Sequence, residues 1–209
     1  MPSPDKRRQH NLYQRQVFDG NVEFFRQPIP AEVQRRTEQI VVAAKLKPDD
    51  RVLDVGTGVG VLIPHIQLCG VRDIIGCDLS EPMLTEARKR YPGVKFWRGD
   101  VIDMPSALGP FDAIFFNAVF GNMWNQQETL RTSAGHLNRN GRIIISHPMG
   151  SAFAKELAAQ DPKMIPHTLP GQKRMAELIR DLPLKVQVFR DEKHLYLCVL
   201  ERMCSTSSG

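Results

Sequence analysis

The run Val52-Leu-Asp-Val-Gly-Thr-Gly-Val-Gly60 constrains this chain more than any other stretch of it. Val52, Leu53 and Val55 suit a strand buried on both faces, and Gly56, Gly58 and Gly60 follow at alternate positions where that strand ends and a helix is expected. Glycine there lets the chain take positive φ and lets main-chain N–H groups approach a ligand that a Cβ would obstruct. A helix amino terminus adds unpaired N–H groups and partial positive charge, suited to a carboxylate or phosphate. An ordinary strand-to-helix turn needs one or two glycines and seldom three in alternation.

Around that run, strands and helices are expected to alternate. Strands are read at 51–55, 73–77, 94–97, 112–116 and 142–146, with helices at 59–69, 82–90 and 126–137. Strands joined through helical crossovers imply a parallel sheet covered by helices on both faces. After a helix at 173–181, the segments 185–189 and 195–200 flank a short polar turn, and two strands that close are joined antiparallel. The expectation is an α/β, Rossmann-like doubly wound sheet, mostly parallel with an antiparallel C-terminal hairpin.

A length of 209 residues favours one domain. Residues 1–46 are read as a helical lead-in or lid of that domain, helical over 11–45 with Pro28 and Pro30 interrupting and 31–46 the stronger part. Residues 47–204 form the main body, and the Ser/Thr-rich 205–209 a disordered tail. Residues 1–9 are read as a loose terminus or the stub of a removed transit peptide.

With 42% hydrophobic and 24% charged residues the chain has the balance of a soluble globular protein. The apolar run from Ala113 to Phe120 is far shorter than the roughly 20 residues that cross a bilayer, so no membrane span is expected. The net charge of +5 is spread along the chain, and no nucleic-acid partner is expected. Cys69, Cys77, Cys198 and Cys204 lack C-x-x-C spacing, which favours a reducing compartment: the cytoplasm, or a plastid or mitochondrion if a transit peptide has been removed.

The glycine loop reads G-x-G-x-G, with Val61 where a dinucleotide loop has its third glycine, and so leans away from a pyrophosphate. It resembles instead the class I S-adenosylmethionine-dependent methyltransferases, whose first motif commonly reads V-L-D-x-G-x-G-x-G. The resemblance is close over 51–146 and holds in pattern over 173–202, because that family's seven-strand sheet also ends in an antiparallel hairpin.

The resemblance implies S-adenosyl-L-methionine as cofactor, held by Gly56, Thr57, Gly58 and Gly60. The acidic ribose ligand falls on Asp78, 78 − 60 = 18 residues after Gly60, where two oxygens can accept both hydroxyl protons of the sugar. Ser80, rather than Asp78, is the expected cap of the following helix. Asp100 and Val101 inherit contacts to the adenine amine and ring, although a Gly-Asp turn also ends strands where no ligand binds. Leu79 and Met83 would touch the adenosine, with core packing an open alternative for Met83. Asn117, at the end of the fourth strand, would face the methionine tail or the substrate, and Phe120 is either wall or core. Asp54, a charge inside an apolar strand, needs a partner, and the cofactor ammonium is the implied one.

Methyl transfer by in-line displacement needs positioning, and a base only where the acceptor must lose a proton. His147, just after the fifth main strand, is the candidate base or substrate contact. His167 lies in the insert 148–172 expected to cover the site; two histidines without a carboxylate at recognisable spacing leave no metal expected. The fourth-strand segment lacks an Asn-Pro-Pro-Tyr type motif and no Pro-Cys occurs, so a small-molecule acceptor is expected. The general layout resembles quinone-ring methyltransferases. Tyr13, Phe18, Phe24 and Phe25 are candidates for an apolar acceptor pocket or for a packing stripe. The competing readings are an NAD(P)-dependent oxidoreductase, disfavoured by the missing glycine and the terminal hairpin, and a non-catalytic cofactor-binding protein.

Overall fold

The computed structural model describes residues 4–203. One seven-stranded sheet organises them: β1 (Arg51–Val55), β2 (Asp73–Asp78), β3 (Lys95–Arg98), β4 (Phe111–Asn117), β5 (Leu137–His147), β6 (Leu184–Glu192) and β7 (Leu195–Arg202), in the order β3-β2-β1-β4-β5-β7-β6. The first five pair in parallel, and β7 inserts antiparallel between β5 and β6. This is the Rossmann-like doubly wound sheet with a terminal hairpin that the sequence predicted.

Successive strand residues feed opposite cores, as the twofold repeat of an extended chain requires. Leu53, Val55, Ile114, Phe116, Ile143 and Ile145 enter one cluster, while Val52, Ala113, Phe115 and Ile144 enter the other. The central strand β4 is sealed on both sides, with Phe115 and Phe116 fully buried back to back. Truncating either ring to alanine is expected to cost about 3–5 kcal/mol.

Among the described residues eight α-helices flank the sheet: α1 (Pro4–Asp19), α2 (Val22–Arg26), α3 (Ala31–Ala43), α4 (Ile63–Leu68), α5 (Glu81–Arg90), α6 (Gln126–Gly135), α7 (Gly150–Gln160) and α8 (Gln172–Ile179). Three differ from the sequence reading. α4 starts four residues later than expected, because Gly58 and Gly60 hold positive φ and keep the loop from winding. α1 is helical from Pro4 rather than loose to residue 9, anchored by Arg7, whose guanidinium meets Asp103 at 2.7 Å and Asp100 at 3.7 Å. α7 occupies the first half of the insert after β5, which was expected only as a cover. Cys204 and the tail 205–209 lie outside the described residues. Among the described residues no helix is long and apolar enough to cross a membrane, and Cys69, Cys77 and Cys198 are free thiols.

Candidate active site

The carboxyl ends of the parallel strands lie along one edge of the sheet, where the glycine loop leaves β1 beside the ends of β2 and β4. The N–H groups of Gly56 and Thr57 donate to the Cys77 carbonyl at 2.8 and 3.0 Å, tying the loop to the end of β2. Gly56 and Gly58 have φ of +67° and +54°, and they need glycine for different reasons. A Cβ at Gly56 would stand 2.5 Å from a Val119 methyl, whereas one at Gly58 would meet nothing within 4 Å and project into open space. Gly58 therefore leaves room above the loop that even a methyl would take up.

Asp78 closes the loop from below. One carboxylate oxygen accepts the Gly58 N–H at 2.9 Å and the other the Ser80 N–H at 2.9 Å. Burial pushes its pKa up, opposed by those main-chain donors. The Leu79 N–H adds to those donors, and the carboxylate's remaining lone-pair capacity lets it accept from a ligand as well. Ser80 caps α5 through Met83 N at 3.3 Å.

Asp54 is buried in the middle of the sheet, and burial pushes its carboxyl up to about 7, with the nearby Asp78 charge adding to the rise. The Thr57 hydroxyl is also buried and makes no hydrogen bond of ordinary geometry; its approach to Asp54 only partly counters the desolvation. A buried acid and an orphaned hydroxyl at the same strand end leave polar groups for a ligand to satisfy.

Asp100 ends the β3 loop and caps a short turn through Ile102 N at 3.1 Å. Its other oxygen accepts from the Asn11 amide at 2.8 Å. The Val101 side chain is buried in the core, which leaves only its main chain for a ligand. Met83 is buried beneath Val22 and Val59, and Leu79 is half-buried. Phe120 is a core residue, its ring packed edge-on to Phe116 with centroids 5.6 Å apart. Asn117 accepts a hydrogen bond from the Ser146 hydroxyl at 3.0 Å.

α1 runs across this edge as a strap. It meets Asp103 and Asp100 through Arg7 and Asn11, the Asn122 carbonyl through His10 Nε2 at 2.7 Å, and Asp161 through the Tyr13 hydroxyl at 2.8 Å. At its far end Asp19 accepts from the Ser80 hydroxyl at 2.6 Å. Gln14 and Asn122, both buried, hydrogen-bond one another and share the Met164 carbonyl. Phe18 and Phe25 pack with Val22, Val59 and Met83 against the loop, and Phe24 is exposed. Phe18 and Phe25 thus pack against the loop and Tyr13 anchors α1, while none of the four is among the residues lining the cavity at the ends of β4 and β5.

Sequence reasoning missed Arg7, Asn11 and the buried His10–Gln14–Asn122 cluster. The available signal was a helix polar on nearly all sides, which is stable mainly where its polar groups find partners.

A second opening lies over the ends of β4 and β5. His147, His167, Ala118, Asn122, Leu157 and Ile165 are among the residues lining a cavity of about 30 Å3. His147 Nδ1 accepts the Met149 N–H at 3.2 Å, and burial pushes this imidazole down to about 4. A wider, solvent-open groove of about 520 Å3 between α2 and the start of α5 contains none of the residues discussed as ligands. Among the described residues no group of three or more His, Cys, Asp or Glu is placed to hold a metal ion.

Residues 52–141 match the family described as "Methyltransferase domain". A demethylmenaquinone methyltransferase of Paenarthrobacter aurescens is 32% identical over 119 residues, 55% of this chain and 47% of that protein. One from Beutenbergia cavernae is 38% identical over 100 residues, 48% of this chain and 41% of that protein. The matched part thus spans about half or less of the length of these relatives. Magnesium protoporphyrin IX methyltransferase of Synechocystis PCC 6803, solved with bound S-adenosylmethionine, superposes with a TM-score of 0.68 at 17% identity over 92% of this chain and 97% of that one. A second nucleotide-binding half, as a dehydrogenase would carry, is replaced here by the β6–β7 hairpin. The glycine loop, the acidic strand end, the sheet order and these matches together make residues 52–141 a methyltransferase domain of the class I S-adenosylmethionine-dependent type.

Proposed function

We propose that this protein transfers the methyl group of S-adenosylmethionine to a small-molecule acceptor by in-line displacement. The observation that carries the reading is the pairing of Gly58 and Asp78: open space above a loop whose positive φ favours glycine, beside a half-buried carboxylate that already accepts main-chain N–H groups and has capacity for more. The residues present fit the cofactor. Gly56–Gly60 would receive its methionine portion, Asp78 the ribose hydroxyls, and Asp100 with the Val101 main chain the adenine. Asp54 and the orphaned Thr57 hydroxyl would face the ammonium, with Asn117 beside it. When bound, the cofactor supplies a methyl group on a positively charged sulfur.

The protein's part is then orientation and exclusion of water, and holding two reactants in near-attack geometry is worth about 7–11 kcal/mol. α1 and α2 act as a lid over the loop, and α7 with the segment after it covers the acceptor side. The names of the matched relatives favour a quinone-type ring as acceptor. The test is incubation of the protein with methyl-labelled cofactor and a metabolite extract, followed by identification of the labelled product. Label on a protein or nucleic acid, or no label at all despite bound cofactor, would overturn the proposal.

A further inference from the structure

The two histidines that line the β4–β5 cavity have their ring protons assigned by the main chain. Met149 N–H donates to His147 Nδ1 at 3.2 Å, so that nitrogen holds no proton and the neutral ring carries it on Nε2. His167 Nε2 lies 3.0 Å from the Trp124 carbonyl oxygen, which only accepts, so Nε2 is the donor and Nδ1 keeps a free lone pair. Neither His147 Nε2 nor His167 Nδ1 has a partner among the described residues.

The two rings therefore bring one uncommitted donor and one uncommitted acceptor to a cavity otherwise lined by Asn122 and by small and apolar residues such as Ala118, Ala154 and Leu157. A base at His147 would need a lone pair that its geometry does not leave: Nδ1 is engaged and Nε2 is protonated. Burial pushes its pKa down to about 4, which keeps the ring neutral and Nδ1 free to accept the Met149 N–H through the physiological range.

Resting on the methyl-transfer reading above, we propose that the acceptor is a phenol or enol bearing a second oxygen, with His147 donating to that oxygen from Nε2 and His167 taking the hydroxyl proton at Nδ1. The proton balance closes. As the acceptor's nucleophilic atom bonds to the methyl carbon, the electron pair of the breaking carbon–sulfur bond stays on sulfur and cancels its charge. The hydroxyl proton leaves for His167, which takes up the positive charge the sulfur gives up. At about 30 Å3 the cavity holds little more than a water, so such an acceptor enters only as α7 and the segment through His167 move outward.

The test uses the full chain saturated with S-adenosylhomocysteine. Nitrogen NMR of labelled imidazoles, assigned with His147→Gln and His167→Gln, is expected to find both rings as the Nε2–H tautomer. Nitrocatechol, whose colour reports ionisation, is expected to bind and to ionise at a pH below its free pKa, with the His167 ring becoming doubly protonated. His167→Gln keeps a donor for the Trp124 carbonyl and should bind nitrocatechol without ionising it. His147→Phe should weaken binding by about tenfold, the scale of one lost hydrogen bond. An Nδ1–H tautomer on either ring, no nitrocatechol binding, or un-ionised bound nitrocatechol would overturn the assignment. Failure to bind S-adenosylhomocysteine would sink the methyl-transfer reading beneath it instead.

Discussion

The Asn11 side-chain amide lies 2.8 Å from Asp100 Oδ2, across 89 residues of sequence. The same carboxylate is the one to which the family resemblance assigns the adenine amine, so α1 and the cofactor would share it. A hydrogen bond to a charged group contributes about 1.5–3 kcal/mol, and the partly exposed Arg7 pairs less, about 0.2–1 kcal/mol. Replacing both Arg7 and Asn11 by alanine should therefore loosen the strap and raise the release rate of S-adenosylhomocysteine roughly tenfold. Stopped-flow release at the wild-type rate would show that α1 does not retain the cofactor.

Gly56 and Gly58 separate stability from binding. Both hold positive φ, which costs a residue with a Cβ roughly 1–2 kcal/mol. Gly56→Ala adds a clash with Val119 and should lower Tm by more than Gly58→Ala. Gly58→Ala should fold nearly normally and lose cofactor affinity, because its methyl enters the open space above the loop. Thermal melts and calorimetric titration of both variants decide the point; equal loss of Tm with intact binding at Gly58→Ala would contradict it.

Asp78 holds two main-chain N–H groups as well as the proposed sugar, so removing it acts twice. Asp78→Ala leaves the Gly58 and Ser80 donors without their partner and should lower both Tm and cofactor affinity, the latter by roughly 1.5–3 kcal/mol. Asp78→Asn keeps an acceptor oxygen and should recover more of the Tm than of the affinity. Were the two variants to bind S-adenosylhomocysteine as tightly as the wild type, Asp78 would be only a loop anchor.

The sheet was legible because strands buried on both faces announce themselves: Val52, Leu53 and Val55 in β1 and the Ala113–Phe116 core of β4 are short continuous apolar runs bounded by turn residues. The glycine motif placed the loop, yet the helix after it begins only at Ile63, since positive φ at Gly58 and Gly60 overrides an otherwise helical pattern. α7 was available from its Ala, Glu, Lys and Leu content, all good helix formers, but was hidden by reading 148–172 as one cover. The strap was illegible for a stronger reason. Arg7, Asn11 and Asp19 look like ordinary solvated residues until the fold brings Asp100, Asp103 and Ser80 beneath them. The histidine tautomers belong to the same class, because they depend on the Met149 N–H and the Trp124 carbonyl rather than on residue type.

Asp54 makes cofactor binding depend on pH in a direction that can be worked out. Its folded pKa, pushed up to about 7 by burial, stands above the value of about 3.9 in an unfolded chain. The folded state thus holds the proton more tightly, and this group's contribution to stability is full below about pH 4 and is lost as pH rises toward 7. An arriving ammonium reverses the preference, since the ionised carboxylate gains an opposite charge where it had only the Asp78 carboxylate nearby. Affinity for S-adenosylhomocysteine should therefore rise from pH 6 to pH 8, with proton release on binding largest at the acid end of that window. Asp54→Asn removes the titrating group and should flatten the profile. Calorimetry in buffers of different ionisation heat measures the released proton directly, and a wild-type profile as flat as that of the variant would place the ammonium elsewhere.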